Sequence, residues 1–194
     1  MQIKPTLDHI PVFELSKFDL PDIQTNNTLE YGENSVSKAS VLRKEITNVS
    51  DEFLQRWHEH GDTLEKFIKD PQLQKNNLEM GAMWFGRNQK FRWNYSDSPR
   101  ILQDSPGFHM DPHIDNRTVF GVVIVNLKDN PVGSGTTILD PCKQKLIYQA
   151  PTEKGTGILF FNNWNTWHMI ENRSKENRLI SYQTLSIDNM NIDN

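Results

Sequence analysis

Residues 108–127 read FHMDPHIDNRTVFGVVIVNL, and the two halves of that stretch decide how the rest of the chain is read. The second half, TVFGVVIVNL, is a Val- and Ile-rich run of strand character. Working outward, GTTILD (135–140), QKLIYQA (144–150), GTGILFF (155–161), WHMIEN (167–172) and RLISYQTLSI (178–187) follow as further short strand-like runs. Turn residues separate them, among them Asp129-Asn130-Pro131 and Glu153-Lys154-Gly155. That spacing predicts an antiparallel sandwich or barrel.

Upstream, Leu78 to Tyr95 is rich in aromatic and small residues and predicts a strand pair turning near Gly86 to Gln89. Before it, Ser50-Asp51-Glu52 opens a run with Phe53, Leu54, Trp57, Leu64 and Phe67 near helical spacing. Gly61 interrupts that run and Pro71 stops it, which predicts two short helices or one broken one. The first forty residues, cut by Pro5, Pro11, Pro21 and Gly32, predict loops and one strand, and the Asn- and Asp-rich tail after Ser186 a frayed end. The organisation expected is one domain over 1–194, with residues 1–79 as loops and helical support and 80–188 as the core.

The first half of the opening stretch carries the chemistry. His109-Met110-Asp111 and His113-Ile114-Asp115 are two overlapping His-x-Asp pairs. Strand residues two apart share a face, so either pair can present an imidazole and a carboxylate to one metal ion. Trp167-His168-Met169 offers a further imidazole at the start of another strand, and Arg178 stands ten residues beyond it. Two imidazoles and one carboxylate on one side of an ion form a facial triad, which leaves coordination positions open and suits Fe(II). The same ligands also bind zinc.

His113-Ile114-Asp115, His168 and Arg178 resemble the HxD…H…R signature of the 2-oxoglutarate/Fe(II)-dependent oxygenases, and the resemblance covers roughly residues 80 to 188. Val119 to Leu127 with the turn to Gly135-Thr136-Thr137 resembles the family's second core strand and turn, and Gly155 to Phe161 the strand leading to the distal histidine. The resemblance implies a mainly β fold, a double-stranded β-helix (jelly roll, cupin-like), here with N-terminal helices packed on it. It implies metal ligation by His113, Asp115 and His168, and pairing of Arg178 with the distal carboxylate of 2-oxoglutarate. Physics favours arginine there, because its fork makes two parallel charge-assisted bonds to a carboxylate. The reagents implied are Fe(II), 2-oxoglutarate and O2, with ascorbate as an optional reductant. The reaction implied is a dioxygenase hydroxylation releasing succinate and CO2, and the aspartate argues against halogenation.

His113 and Asp115 are preferred over His109 and Asp111 because Pro106-Gly107-Phe108 before them and Asn116-Arg117 after them resemble small bacterial and phage-like members; both pairs remain open. The family often has a hydroxyl residue two after the arginine, where this chain has Ile180, followed by Ser181. Prolyl-hydroxylase-like members more often carry lysine at the arginine position, which places a small-molecule or amino-acid-like substrate ahead of a peptidyl one. Nucleobase demethylases usually carry a second, later arginine, and Arg178 is the last in this chain. Outside the family, the rivals are a zinc hydrolase, for which no HExxH motif is present, and a non-catalytic cupin-like binding module.

Composition narrows the partners. A net charge of −4 lacks the basic excess of a nucleic-acid binder, although Arg87, Lys90, Arg92, Arg100 and Arg117 offer a basic cluster. No apolar run approaches the roughly 20 residues of a membrane span, and the N-terminus lacks signal-peptide character, so a cytoplasmic location is expected. The lone Cys142 reads as a partly buried small hydrophobe. His58 and His60 read as solvated helix residues. Trp84, Trp93, Trp164 and Trp167 read as core or rim aromatics, Trp167 also as a wall of the site. Asn162, Asn163 and Asn165 read equally as substrate contacts or turn holders.

Overall fold

The computed structural model describes residues 1–7, 10–24, 28–30, 42–73, 99–116, 119–142 and 145–186. The strand pair expected over Leu78 to Tyr95, the tail after Ser186, and Trp84, Trp93, Arg87, Lys90, Arg92 and Arg117 lie outside the described residues.

Seven strands fall on the seven runs read from the sequence: β6 (His109–His113), β7 (Val119–Asn126), β8 (Thr137–Leu139), β9 (Leu146–Gln149), β10 (Gly157–Phe161), β11 (Trp167–Glu171) and β12 (Arg178–Ser186). Five more precede them: β1 (Gln2–Pro5), β2 (Val12–Ser16), β3 (Thr28–Glu30), β4 (Arg43–Ile46) and β5 (Arg100–Asp104). The N-terminal region therefore supplies several strands where loops and one strand were expected. Pro5 ends β1, a sheet edge where the missing N–H disturbs no ladder.

Two antiparallel sheets result. The larger runs β1-β2-β10-β7-β12-β5-β4-β3 and the smaller β6-β11-β8-β9. From β5 onward the chain passes between β10-β7-β12-β5 in one sheet and β6-β11-β8-β9 in the other, which is the topology of a double-stranded β-helix. The fold class read from the sequence is the one found.

The large sheet is buried on both faces because its central strands carry apolar residues at odd and even positions alike. Val122, Ile124, Ile158, Phe160 and Ile180 meet Ile138 and Ala150 of the small-sheet side and form the inner core. Val123, Val125, Leu159, Phe161 and Leu185 point the other way, onto α1 (Asp51–Ile68).

The helix is continuous. Ser50 caps it by accepting a hydrogen bond from the Phe53 N–H, and Asp51 and Glu52 sit in its first turn where the helix dipole favours acids. Gly61, read as an interruption, is buried on the stripe Phe53, Trp57, Gly61, Leu64, Ile68. Sheet packing therefore carries the helix through a residue of poor propensity. The Trp57 indole N–H donates to Gln183 of β12 and ties the helix to the sheet that bears the site.

Candidate metal centre

The small sheet sets two imidazoles side by side. β11 pairs with β6 so that His168 lies opposite His113, and their ring centres are 4.2 Å apart. Each ring is fixed by its own backbone. His113 Nδ1 bonds the Asp111 carbonyl at 2.7 Å and His168 Nδ1 bonds the Thr166 carbonyl at 3.0 Å. Since a carbonyl only accepts, each Nδ1 carries the donating proton, which in the neutral ring is the tautomer that leaves Nε2 as the ligand atom. Burial, with His113 acting in the same direction and Asp115 opposing, pushes His168 down to about 4, so it is neutral at pH 7.

Asp115 follows β6 in the connecting loop and closes the group. Its carboxylate oxygens lie 3.8 Å from His113 Nε2 and 3.6 Å from His168 Nε2. Its Oδ2 is buried with no hydrogen-bond partner. One ligand atom from each of the three residues lies within 4.8 Å of the others. A buried, unpartnered carboxylate oxygen facing two free imidazole lone pairs is costly unless a cation joins them, so the donor set fits a divalent metal. Two nitrogens and one oxygen suit Fe(II), and Zn(II) as well.

The other His-x-Asp pair stays outside. His109 and Asp111 are exposed and bond each other at 2.7 Å. The cause is a β-bulge: three residue steps on β6, Met110 to His113, oppose two on β11, Ile170 to His168. The extra residue breaks strict alternation, so Met110 and His113 both turn to the cavity while His109 and Asp111 face solvent. Pro112 is tolerated there because β6 is an edge strand.

Asn162 locks the aspartate loop. Its side-chain amide donates to the carbonyls of Asp115, Asn116 and Val119 at 3.1, 3.1 and 2.9 Å. Asn163 Oδ1 accepts the Asn165 N–H, so these two hold the turn before β11. Phe160 and Tyr182 are the aromatic residues lining the cavity, and the Phe160 ring lies 4.6 Å from that of His168; Trp167 is not among the lining residues.

The centre opens onto a cavity of about 150 Å³ between the sheets, with Leu102, Val122, Ile124, Ile170 and Ile180 among its apolar walls. Ile180 stands where a hydroxyl partner to the arginine is common in the resembled family, and Ser181 alternates to the opposite face. Arg178, fully buried at the start of β12, bonds Asp104 at 3.0 Å and Thr136 at 3.4 Å. Two arginines do line the cavity, Arg43 and Arg100, each in a two-point pair with a carboxylate: Arg43 with Asp104 and Arg100 with Glu45. Arg43 and Asp104 were not singled out in the sequence, and only their shared register in the β4-β5 ladder brings them together.

Two expected minor features are corrected. Cys142 is exposed. His58 is exposed as expected, but His60 is half-buried, its ring 4.7 Å from that of Phe18 and accepting the Asp19 N–H at 3.1 Å. No helix among the described residues is long and apolar enough to cross a membrane.

No family model matches the chain, and no curated protein matches it. Solved structures do. A prolyl hydroxylase from Trichoplax adhaerens, in complex with a hypoxia-inducible-factor oxygen-degradation-domain peptide, superposes with a TM-score of 0.53 at 13% identity, covering 87% of this chain and 70% of that one. The viral collagen prolyl hydroxylase of Paramecium bursaria Chlorella virus-1, in its 2-oxoglutarate complex, gives a TM-score of 0.47 at 15% identity over 75% of this chain and 78% of that one. The α-ketoglutarate-dependent epimerase SnoN of nogalamycin biosynthesis gives 0.44 at 14% over 92% and 79%. At such identities the likeness is one of fold alone.

Proposed function

We propose that this chain is an Fe(II)- and 2-oxoglutarate-dependent oxygenase in which His113, Asp115 and His168 hold the metal. One observation carries the reading: two imidazoles with tethered Nδ1 atoms and a carboxylate with an unpartnered buried oxygen converge at one end of a double-stranded β-helix. When bound, iron with 2-oxoglutarate and O2 supplies oxidative decarboxylation to succinate and CO2, coupled to oxidation of a substrate C–H bond.

The chain's own part is to bind, orient and exclude water. His113 and His168 present Nε2, and the carbonyls of Asp111 and Thr166, by accepting from Nδ1–H, fix the tautomer and aim those atoms. Phe160, Ile170 and Ile180 keep the cavity dry. Arg178 supplies charge for the cosubstrate's far carboxylate from the closed end of the sheet. The substrate class we favour is a small or amino-acid-like molecule, hydroxylated at carbon. A peptidyl, prolyl-type substrate is the second reading, supported by the fold likeness to the Trichoplax prolyl hydroxylase. A zinc hydrolase is less well supported, because Asp115, already in the ligand set, is the only carboxylate on the cavity wall among the described residues.

Anaerobic titration of the Fe(II)-loaded protein with 2-oxoglutarate, followed by the visible charge-transfer band of the chelate, tests this. A saturable band is expected in the wild type and in His109→Ala, none in His113→Ala or His168→Ala, and weaker binding in Arg178→Ala. Iron bound without any band would overturn the oxygenase reading in favour of hydrolase or binding-module chemistry.

A further inference from the structure

Asp104 is fully buried and shared by two guanidinium groups. Its Oδ1 takes Arg43 Nε at 2.6 Å, and its Oδ2 takes Arg43 Nη2 at 3.0 Å and Arg178 Nη1 at 3.0 Å. The side chains of Arg43, Arg178 and Asp104 are 12%, 1% and 0% exposed. Asp104 is the only carboxylate paired with either arginine among the described residues, so the cluster keeps one positive charge uncompensated in a place water hardly reaches. A buried surplus charge is unfavourable without a counter-ion, which points to an anionic ligand. Arg178 also has donors to spare: its Nε is buried with no partner, and its Nη2 has only the 3.4 Å contact to Thr136.

Arg43 connects this cluster to the cavity. It comes from β4, outside the β5–β12 core, and its guanidinium lies 4.2 Å over the Phe108 ring and against Met110 of the metal-bearing strand. It lines the same cavity as His113, Asp115 and His168, whereas Arg178 stands behind the wall. Ile180 and Leu102, facing each other across β12 and β5, make that stretch of the wall apolar.

Resting on the oxygenase reading, we infer that Arg43 is a second cosubstrate-binding residue: it meets the distal carboxylate of 2-oxoglutarate at the cavity wall, with Arg178 behind it adding positive charge, and Asp104 is the positioning residue that holds the two forks. The cosubstrate carboxylate then supplies the missing negative charge.

The test uses two keto acids that chelate iron through the same groups, 2-oxoglutarate and 2-oxobutanoate, of which only the first has a distal carboxylate. Each is titrated anaerobically into Fe(II)-loaded wild type and Arg43→Met, with circular dichroism and metal content recorded for both. The variant is expected to bind 2-oxoglutarate roughly 10- to 100-fold more weakly, the loss expected for hydrogen bonds to a charged group, and 2-oxobutanoate within about twofold of wild type. Equal weakening of both ligands, or of neither, overturns the role of Arg43 while leaving the oxygenase reading intact. Failure of the wild type to bind either keto acid overturns both. If Arg43→Met does not fold, Arg43→Lys carries the test: it keeps the charge, loses the fork, and should still lower the preference for 2-oxoglutarate over 2-oxobutanoate.

Discussion

Replacing Asn162 by alanine should weaken the fold and the metal site together. The Nδ2 group has two hydrogens and serves three carbonyls, those of Asp115, Asn116 and Val119, so alanine removes two bonds' worth of pairing in a buried setting. Carbonyls left unpaired cost ~1–3 kcal/mol each, which gives a gross loss of about 2–6 kcal/mol. The Oδ1 of Asn162 is itself buried without a partner, and alanine removes that cost. The net therefore sits at the lower end, about 2 kcal/mol, or roughly 4–8 °C in Tm for a chain of this length. Because one of the freed carbonyls belongs to Asp115, metal affinity should also fall, by roughly 10- to 100-fold as for other residues that orient ligands. Thermal denaturation of the metal-free protein and titration with Mn(II) or Fe(II) read the two quantities separately. A Tm drop with metal affinity unchanged within about twofold would show that the amide braces only the loop and would refute its link to the aspartate.

Other expectations follow from local geometry. In Gly157→Ala the new Cβ would meet the Ile124 carbonyl oxygen at 2.0 Å, backbone of the neighbouring strand, so a loss of more than about 3 kcal/mol is expected in urea denaturation. Gly133→Ala meets nothing within 4 Å and carries only the strain of φ +84°, about 1–2 kcal/mol; equal losses at the two positions would contradict the packing described. Burial against Phe18 lowers the His60 pKa, so the folded state favours the neutral ring. The stability this contributes is present above the unfolded value of about 6.5 and is lost as pH falls through the folded value, so His60→Gln should flatten the stability profile on the acid side of pH 6.5. An unchanged acid limb in the variant would remove His60 from the account.

The strands from β6 onward were legible because each is a short apolar or alternating run bounded by Gly, Pro or Asn. Those before it were not. Lys44 and Glu45 of β4 give no apolar periodicity, and β4 is a strand through its pairing with β3 and with β5, the latter more than fifty residues away. The ligand residue types were legible in HxD and the distal histidine, but the choice between the two pairs was not. That choice rests on one extra residue between Met110 and His113, and a bulge has no composition of its own. Asp104 and Arg43 were equally silent, since their partnership exists only across a ladder.

The position of β12 bears on how the chain reaches this state. Among the described residues it is the last strand, yet it sits inside the large sheet between β7 and β5. Until residues 178–186 have left the ribosome, β5 and β7 cannot be bridged and each presents an open edge rich in unpaired amides. The partially made chain is therefore a sticky intermediate whose sheet can only be completed once β12 has emerged, through pairings of long sequence separation. Slow refolding and a need for chaperone protection during expression follow, and a stall in translation before Arg178 would be more harmful to this protein than one after Ser186.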